Sequence, residues 1–195
     1  MFILDASNFK EARITIFLIS INTLLFVLFS FGFKNVFYLL VQNNYYIIYN
    51  LEIWRLFTSM FLHGDILHLF SNMVSLLIFG AYVELNYSKE EFIFIYLLSG
   101  LTGSFCSMML LPLFTISLGA SGAIFGLIGA AFSILIAQRD TPLIVLGLVY
   151  VSYFIFSSFA PEINYFAHIF GLLTGLLIGY LFKRQKKVAV ESYTY

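Results

Sequence analysis

Apolar residues gather into six runs along the chain, at 14–31, 66–84, 92–110, 122–137, 143–159 and 165–182. A helix rises about 1.5 Å per residue and the hydrocarbon core of a bilayer is about 30 Å thick, so each run is long enough to cross it or nearly so. The breaks between runs carry charge or turn formers: Asn86 to Glu91, Pro112 with Gly119, Arg139-Asp140-Thr141-Pro142, and Ala160-Pro161-Glu162. This pattern predicts an all-α, polytopic fold of six transmembrane helices, one membrane domain over 1–187 followed by a mobile tail over 188–195. The first run follows Lys10 and Arg13 as the core of a signal peptide would, but it is long and has no convincing small-residue cleavage site, so it reads as a retained span.

Two connections depart from the pattern. The segment from Gly32 to Asp65 runs to roughly thirty residues, long for a loop, and carries Phe37, Tyr38, Tyr45, Tyr46, Tyr49 and Trp54. Tyr and Trp favour the membrane interface, which places this segment partly there. The segment from Leu111 to Ala120 is apolar yet holds Pro112 and Gly119, and is expected to dip into the membrane behind protein, because lipid does not tolerate bare irregular backbone. The fourth helix, a run of about 16 residues reaching roughly 24 Å, would then begin below the outer surface. Ser121, at its outer end, would be sunken.

Composition agrees that lipid is the solvent. Of 195 residues, 61% are hydrophobic and 10% charged, whereas a soluble surface is about a quarter charged. A formal net charge of zero gives no pull toward nucleic acid, so the placement of charge is what informs. Six spans put both tails, the Asn86 loop and the Gln138 loop on one side, with Lys10, Arg13, Lys89, Arg139, Lys183, Arg184, Lys186 and Lys187; Lys34 and Arg55 fall on the other. The positive-inside rule then makes both termini cytoplasmic, in a cell membrane. Cys106, the sole cysteine, excludes an intrachain disulfide and a multi-cysteine metal site.

Polar residues inside spans are costly, so those at a shared depth are candidates for chemistry. His68 and Asn72 stand one turn apart near the outer end of the second span, Ser121 at the outer end of the fourth, and His168 near the outer end of the sixth. Taken singly, each is more simply a packing or interhelical hydrogen-bonding residue. Ala167, Gly171, Gly175 and Gly179 form a small-residue stripe on the sixth helix, and Gly122, Gly126 and Ala130 another on the fourth; such stripes pack helices closely and specify no chemistry alone. Close approach there brings His168 within reach of the Ser121 hydroxyl. A serine needs a base to take its proton, and neutral histidine suits that role. No carboxylate neighbours His168 in the sequence, and Glu84 lies at the opposite ends of the spans, so the pattern points to a dyad, with Phe125 stacking on the imidazole. Donors for an oxyanion are the Ser121 N–H, the Asn72 amide and the His68 ring. A metal site at His63, His68 and Asn72 lacks the spacing and glutamate of zinc proteases, and no cofactor is called for. An aspartate pair is excluded because Asp5, Asp65 and Asp140 lie outside span interiors.

These residues resemble the rhomboid family of intramembrane serine proteases over nearly the whole chain. The stretch WRLFTSMFLHGDILHLFSNMVSLLIFGAYVE, Trp54 to Glu84, is similar to the family's first-loop and second-helix signature, with HxxxxHxxxN at His63, His68 and Asn72. GASGAIFG matches GxSG at Gly119 and Ser121, and AHIFGLLTG matches AHxxGxxxG at His168, Gly171 and Gly175. The resemblance implies a rhomboid-like bundle of the minimal six-helix form with 32–65 as a membrane-embedded first loop. It implies Ser121 as nucleophile, His168 as base, and His68 with Asn72 on the oxyanion side. Gly119 would belong to the turn presenting the serine, and Trp54, Arg55, His63 and Glu84 would hold loop and helix. Many members carry tyrosine where this chain has Phe125, so stacking persists without a phenol oxygen.

The implied activity is hydrolysis of peptide bonds in or beside transmembrane segments of other membrane proteins, at a span that unwinds through Gly, Pro or polar residues and has a small residue before the cut. Loops 111–120 and 160–164 would frame an outer opening. Phe154, Phe156 and Phe159 of the fifth helix would either gate a substrate or face lipid. Two rivals predict other features. A transporter needs polar residues continuing to the inner side, which these spans lack, and a client-binding pseudoprotease has lost its serine or histidine, both present here.

Overall fold

The structure, a computed structural model, describes residues 11–139, 141–157 and 163–192. Its helices are α1 (Arg13–Phe31), α2 (Lys34–Leu40), α3 (Asn44–Asn50), α4 (Arg55–Thr58), α5 (Ile66–Glu84), α6 (Lys89–Leu110), α7 (Ser121–Gln138), α8 (Thr141–Ser157) and α9 (Tyr165–Ser192). Two short strands, β1 (Gln42–Asn43) and β2 (Ile116–Ser117), pair antiparallel with Gln42 opposite Ser117. Among the described residues, five helices are long and apolar enough to cross a membrane (α1, α5, α6, α7 and the Tyr165–Gln185 part of α9), and α8 is a shorter apolar helix. The all-α, multi-pass architecture read from the sequence is therefore present.

Boundaries shift for local reasons. Helix α6 starts ahead of its apolar run because Ser88 and Glu91 form a capping box. Helix α7 takes in Ser121 as its first residue. The end expected for the fifth span, Phe159, lies outside the described residues, and so does most of the 160–164 loop. Helix α9 runs past Phe182 to Ser192, since the basic stretch beyond it contains no Gly or Pro; the described part of the expected tail, 188–192, continues the helix.

Helix α7 is the hub: 72% of it is buried, against 17% of α1. Its glycines let α9 come to backbone contact. A Cβ on Gly171 would strike the Gly122 carbonyl, one on Gly175 the Gly126 carbonyl, and one on Gly129 the Leu172 carbonyl. Higher on the seam, a Cβ on Gly103 of α6 would lie 2.7 Å from Ala167 O. No residue larger than glycine fits these crossings without separating the helices.

The first loop is folded. The carbonyls that end α2 have no helical partner, and residues of the Trp-Arg segment supply donors: Trp54 Nε1 to Leu39 O at 3.2 Å, Arg55 Nη1 to Tyr38 O at 2.7 Å and Val41 O at 2.9 Å, and Thr58 Oγ1 to Leu40 O at 2.6 Å. Arg55 is buried, paired with Glu52 at 2.5 Å, and lies over the Tyr46 ring. Gln42 Nε2 reaches Ser104 O of α6 at 3.2 Å, and Asn44 Nδ2 reaches Pro112 O at 3.1 Å, so the loop docks on the connection that leads to Ser121. Tyr38, Tyr45, Tyr46, Tyr49 and Trp54 stay exposed on its outer side. At the other end of the bundle, Glu84 accepts both the Ile14 and Thr15 N–H groups at 2.8 Å, capping α1 from a neighbouring helix.

Candidate active site

Gly119 has φ +126°, a backbone conformation strained for any other residue, and its N–H donates to Ser59 O at 3.0 Å. A Cβ there would also lie 2.8 Å from His68 Nε2, so the turn ahead of α7 needs glycine on two counts. Ala120 follows, fully buried, and among the described residues no side chain caps the helix that starts at Ser121.

Ser121 Oγ lies 2.8 Å from His168 Nε2. The Phe125 ring, one turn further along α7, stacks on the imidazole with centroids 4.3 Å apart and planes 13° from parallel. His168 is buried and sits one residue after Ala167, whose backbone is pressed against Gly103 and Gly122. Glycine packing on two sides thus sets where the imidazole stands.

The opposite wall comes from α5. Asp65 caps this helix, accepting from His68 N at 2.8 Å, and His68 meets the His63 ring edge-on at 5.0 Å between centroids. His63 is buried, and neither ring nitrogen is hydrogen-bonded among the described residues. Burial first, then the neighbouring His68, lowers its pKa from 6.5 to about 3, against the opposing pull of Asp65, so it is a neutral packing group. Asn72 donates from Nδ2 to His68 O at 2.9 Å, back onto its own helix; an amide nitrogen carries a second N–H. A cleft of about 930 Å³ collects His68, Asn72, Ser121, Phe125 and His168, with Ser117 and Asn164 at its rim.

Residues 50–185 match the family model for the Rhomboid domain. The chain belongs to the rhomboid family. It is 37% identical over 147 residues to RHOMBOID-like protein 6, mitochondrial, of Arabidopsis thaliana, covering 73% of this chain and 48% of that protein. It is 34% identical over 142 residues to RHOMBOID-like protein 1 of the same plant, covering 70% of this chain and 36% of the relative. It is 34% identical over 144 residues to "Putative rhomboid protease YdcA" of Bacillus subtilis (strain 168), covering 71% of each. This rhomboid therefore spans less than half the length of either plant relative.

In this rhomboid the structure brings together Ser121, His168, Phe125, His68 and Asn72 around one cleft, with Gly119 close to His68 and Ser121 and the His63 ring against that of His68. Trp54, Arg55 and Glu84 are elsewhere, holding α2 and α1. Gly122, Gly126, Gly171 and Gly175 lie on the α7–α9 seam. Phe156 of α8 is exposed, while Phe159 and the Phe154 side chain lie outside what the structure describes. Sequence reasoning missed Asp65 and Asn164, although an Asp or Asn just ahead of an apolar run is itself a helix-start signal. It also missed Ser59, Gln42 and Ser117, which act through backbone or loop contacts that no motif marks.

Proposed function

We propose that this rhomboid is an intramembrane serine endopeptidase, with Ser121 as nucleophile and His168 as general base. The observation that carries the reading is the 2.8 Å contact between Ser121 Oγ and His168 Nε2, held under a stacked Phe125 inside a cleft. That distance lies within proton-transfer reach of about 2.6–3.2 Å.

His168 takes the Ser121 proton as Oγ attacks the scissile carbonyl, and the carbonyl π electrons move to oxygen. The oxyanion is stabilised by the Ser121 N–H at the uncapped start of α7, by the second Asn72 N–H and by the His68 ring. The tetrahedral intermediate collapses, the peptide C–N bond breaks, and His168 returns its proton to the leaving amine. Water, deprotonated by His168, then attacks the acyl-enzyme ester and restores Ser121. Phe125, stacked on the imidazole, orients it by contact.

The substrates are transmembrane segments of other proteins. A backbone locked in helical hydrogen bonds offers no free carbonyl, so the scissile region must be one that unwinds through Gly, Pro or polar residues, with a small residue before the cut. The charge distribution supports cytoplasmic termini and a cleft on the outer side of a cell membrane. The test is cleavage of a transmembrane reporter by purified protein in lipid, alongside fluorophosphonate labelling. Ser121→Ala and His168→Ala are expected to abolish cleavage. Turnover surviving in both, or labelling at a residue other than Ser121, overturns the assignment.

A further inference from the structure

Asn164 stands immediately ahead of α9 and its amide is used twice. Oδ1 accepts from Ala167 N at 3.1 Å, the arrangement of a helix N-cap, and Nδ2 donates to Ser117 Oγ at 3.0 Å. Ser117 lies in β2, four residues before Ser121, paired with Gln42 of the first loop. One side chain therefore ties the first turn of the helix carrying His168 to the strand that leads into the helix carrying Ser121. The glycine seam fixes how closely α7 and α9 approach, but backbone van der Waals contact has little direction along the helix axes. A hydrogen-bonded bridge at the outer end supplies that direction.

We propose that Asn164 is a positioning residue that sets the Ser121–His168 distance through Ser117, an inference resting on the reading of those two residues as the dyad. Neither hydrogen bond of the Asn164 amide goes to a reacting atom. Its importance follows from how steeply proton transfer depends on separation: a displacement of about 1 Å at a reacting pair costs on the order of 10²-fold in rate. A plain helix cap would instead contribute only to stability.

Two variants separate these roles. Asn164→Ser keeps a capping oxygen but is too short to reach Ser117, and Ser117→Ala breaks the bridge from the other side with the cap intact. Both are expected to lower kcat on a transmembrane reporter by about 10-fold with KM little changed, and the double variant to be no worse than either single one. Asn164→Asp, able both to cap and to accept from the Ser117 hydroxyl, is expected to restore turnover. A second readout needs no turnover. With three histidines in the chain, the ring ¹⁵N signals are assignable by single substitution, and the His168 signal is expected to move in both variants toward its position in Ser121→Ala. Wild-type kcat and an unmoved His168 signal in Ser117→Ala and Asn164→Ser, or rate losses that simply multiply in the double variant, overturn the proposal. A wild-type protein that cleaves nothing overturns the protease reading instead, and the ¹⁵N shift still decides the role of Asn164.

Discussion

Helix α6 begins at Lys89 behind a capping box, in which Ser88 Oγ accepts from Glu91 N at 3.2 Å and Glu91 Oε2 accepts from Ser88 N at 2.7 Å; α7 begins at Ser121 behind Ala120, with no capping side chain. A missing cap typically costs about 0.5–2 kcal/mol. Helix α7 tolerates this because it is the most buried of the apolar helices and its stability comes from packing. Its first residue, Ser121, lines the cleft, where the proposed reaction would develop negative charge on a substrate. Capping serves a helix whose start has only to be stable; an open start serves one whose N–H groups have to bind something transient.

The largest effect falls at the open start. Ser121→Ala or His168→Ala is expected to lower kcat by at least about 10³-fold, and the double variant by no more than either alone, in single-turnover reporter cleavage. Independent losses would mean that the two residues do not act as a unit. Next comes the turn that opens α7. Gly119→Ala meets both the positive φ and the His68 ring, and is expected to cost about 1–3 kcal/mol of stability and roughly 10²-fold in kcat. Normal turnover in a folded Gly119→Ala protein would detach the open start from this turn. Removing the ring stacked on His168 acts more gently: Phe125→Ala should slow turnover by about threefold to tenfold, matching about 0.5–1.5 kcal/mol for such a contact, while Phe125→Tyr stays near wild type. The smallest effect on rate belongs to the capped helix. Ser88→Ala is expected to lower unfolding free energy by about 1 kcal/mol, read by denaturant titration, with kcat unchanged. A slowed Ser88→Ala enzyme would erase the contrast between the two starts.

Much of this was legible because it is periodic or compact. Apolar runs mark the spans, four-residue spacing marks the Gly122/Gly126 and Gly171/Gly175 faces, and Ser121 and His168 sit where those faces meet. What stayed hidden depends on partners far apart in the chain. Glu84 caps α1 across 70 positions and Gln42 reaches Ser104 across 62; neither leaves a local pattern. The first loop reads as aromatic and interfacial, but its structure follows from Trp54, Arg55 and Thr58 answering the carbonyls of α2, a pairing decided by backbone geometry. Helix α5 also holds a π-helical turn at Leu76–Gly80, where Gly80 packs on Thr15 of α1; hydropathy sees there only an uninterrupted helix.

His63 carries a consequence for the conditions under which the molecule survives. Its folded-state pKa lies near about 3 while the unfolded chain titrates near 6.5, so the unfolded state takes up the proton first. The stability conferred by burying a neutral imidazole is complete above pH 6.5 and drains away as pH falls toward 3. This buried ring thereby sets one limit on acid tolerance. Replacing it, as in His63→Phe, should flatten the loss of melting temperature between those pH values, and an unchanged slope would assign the acid limit to another group.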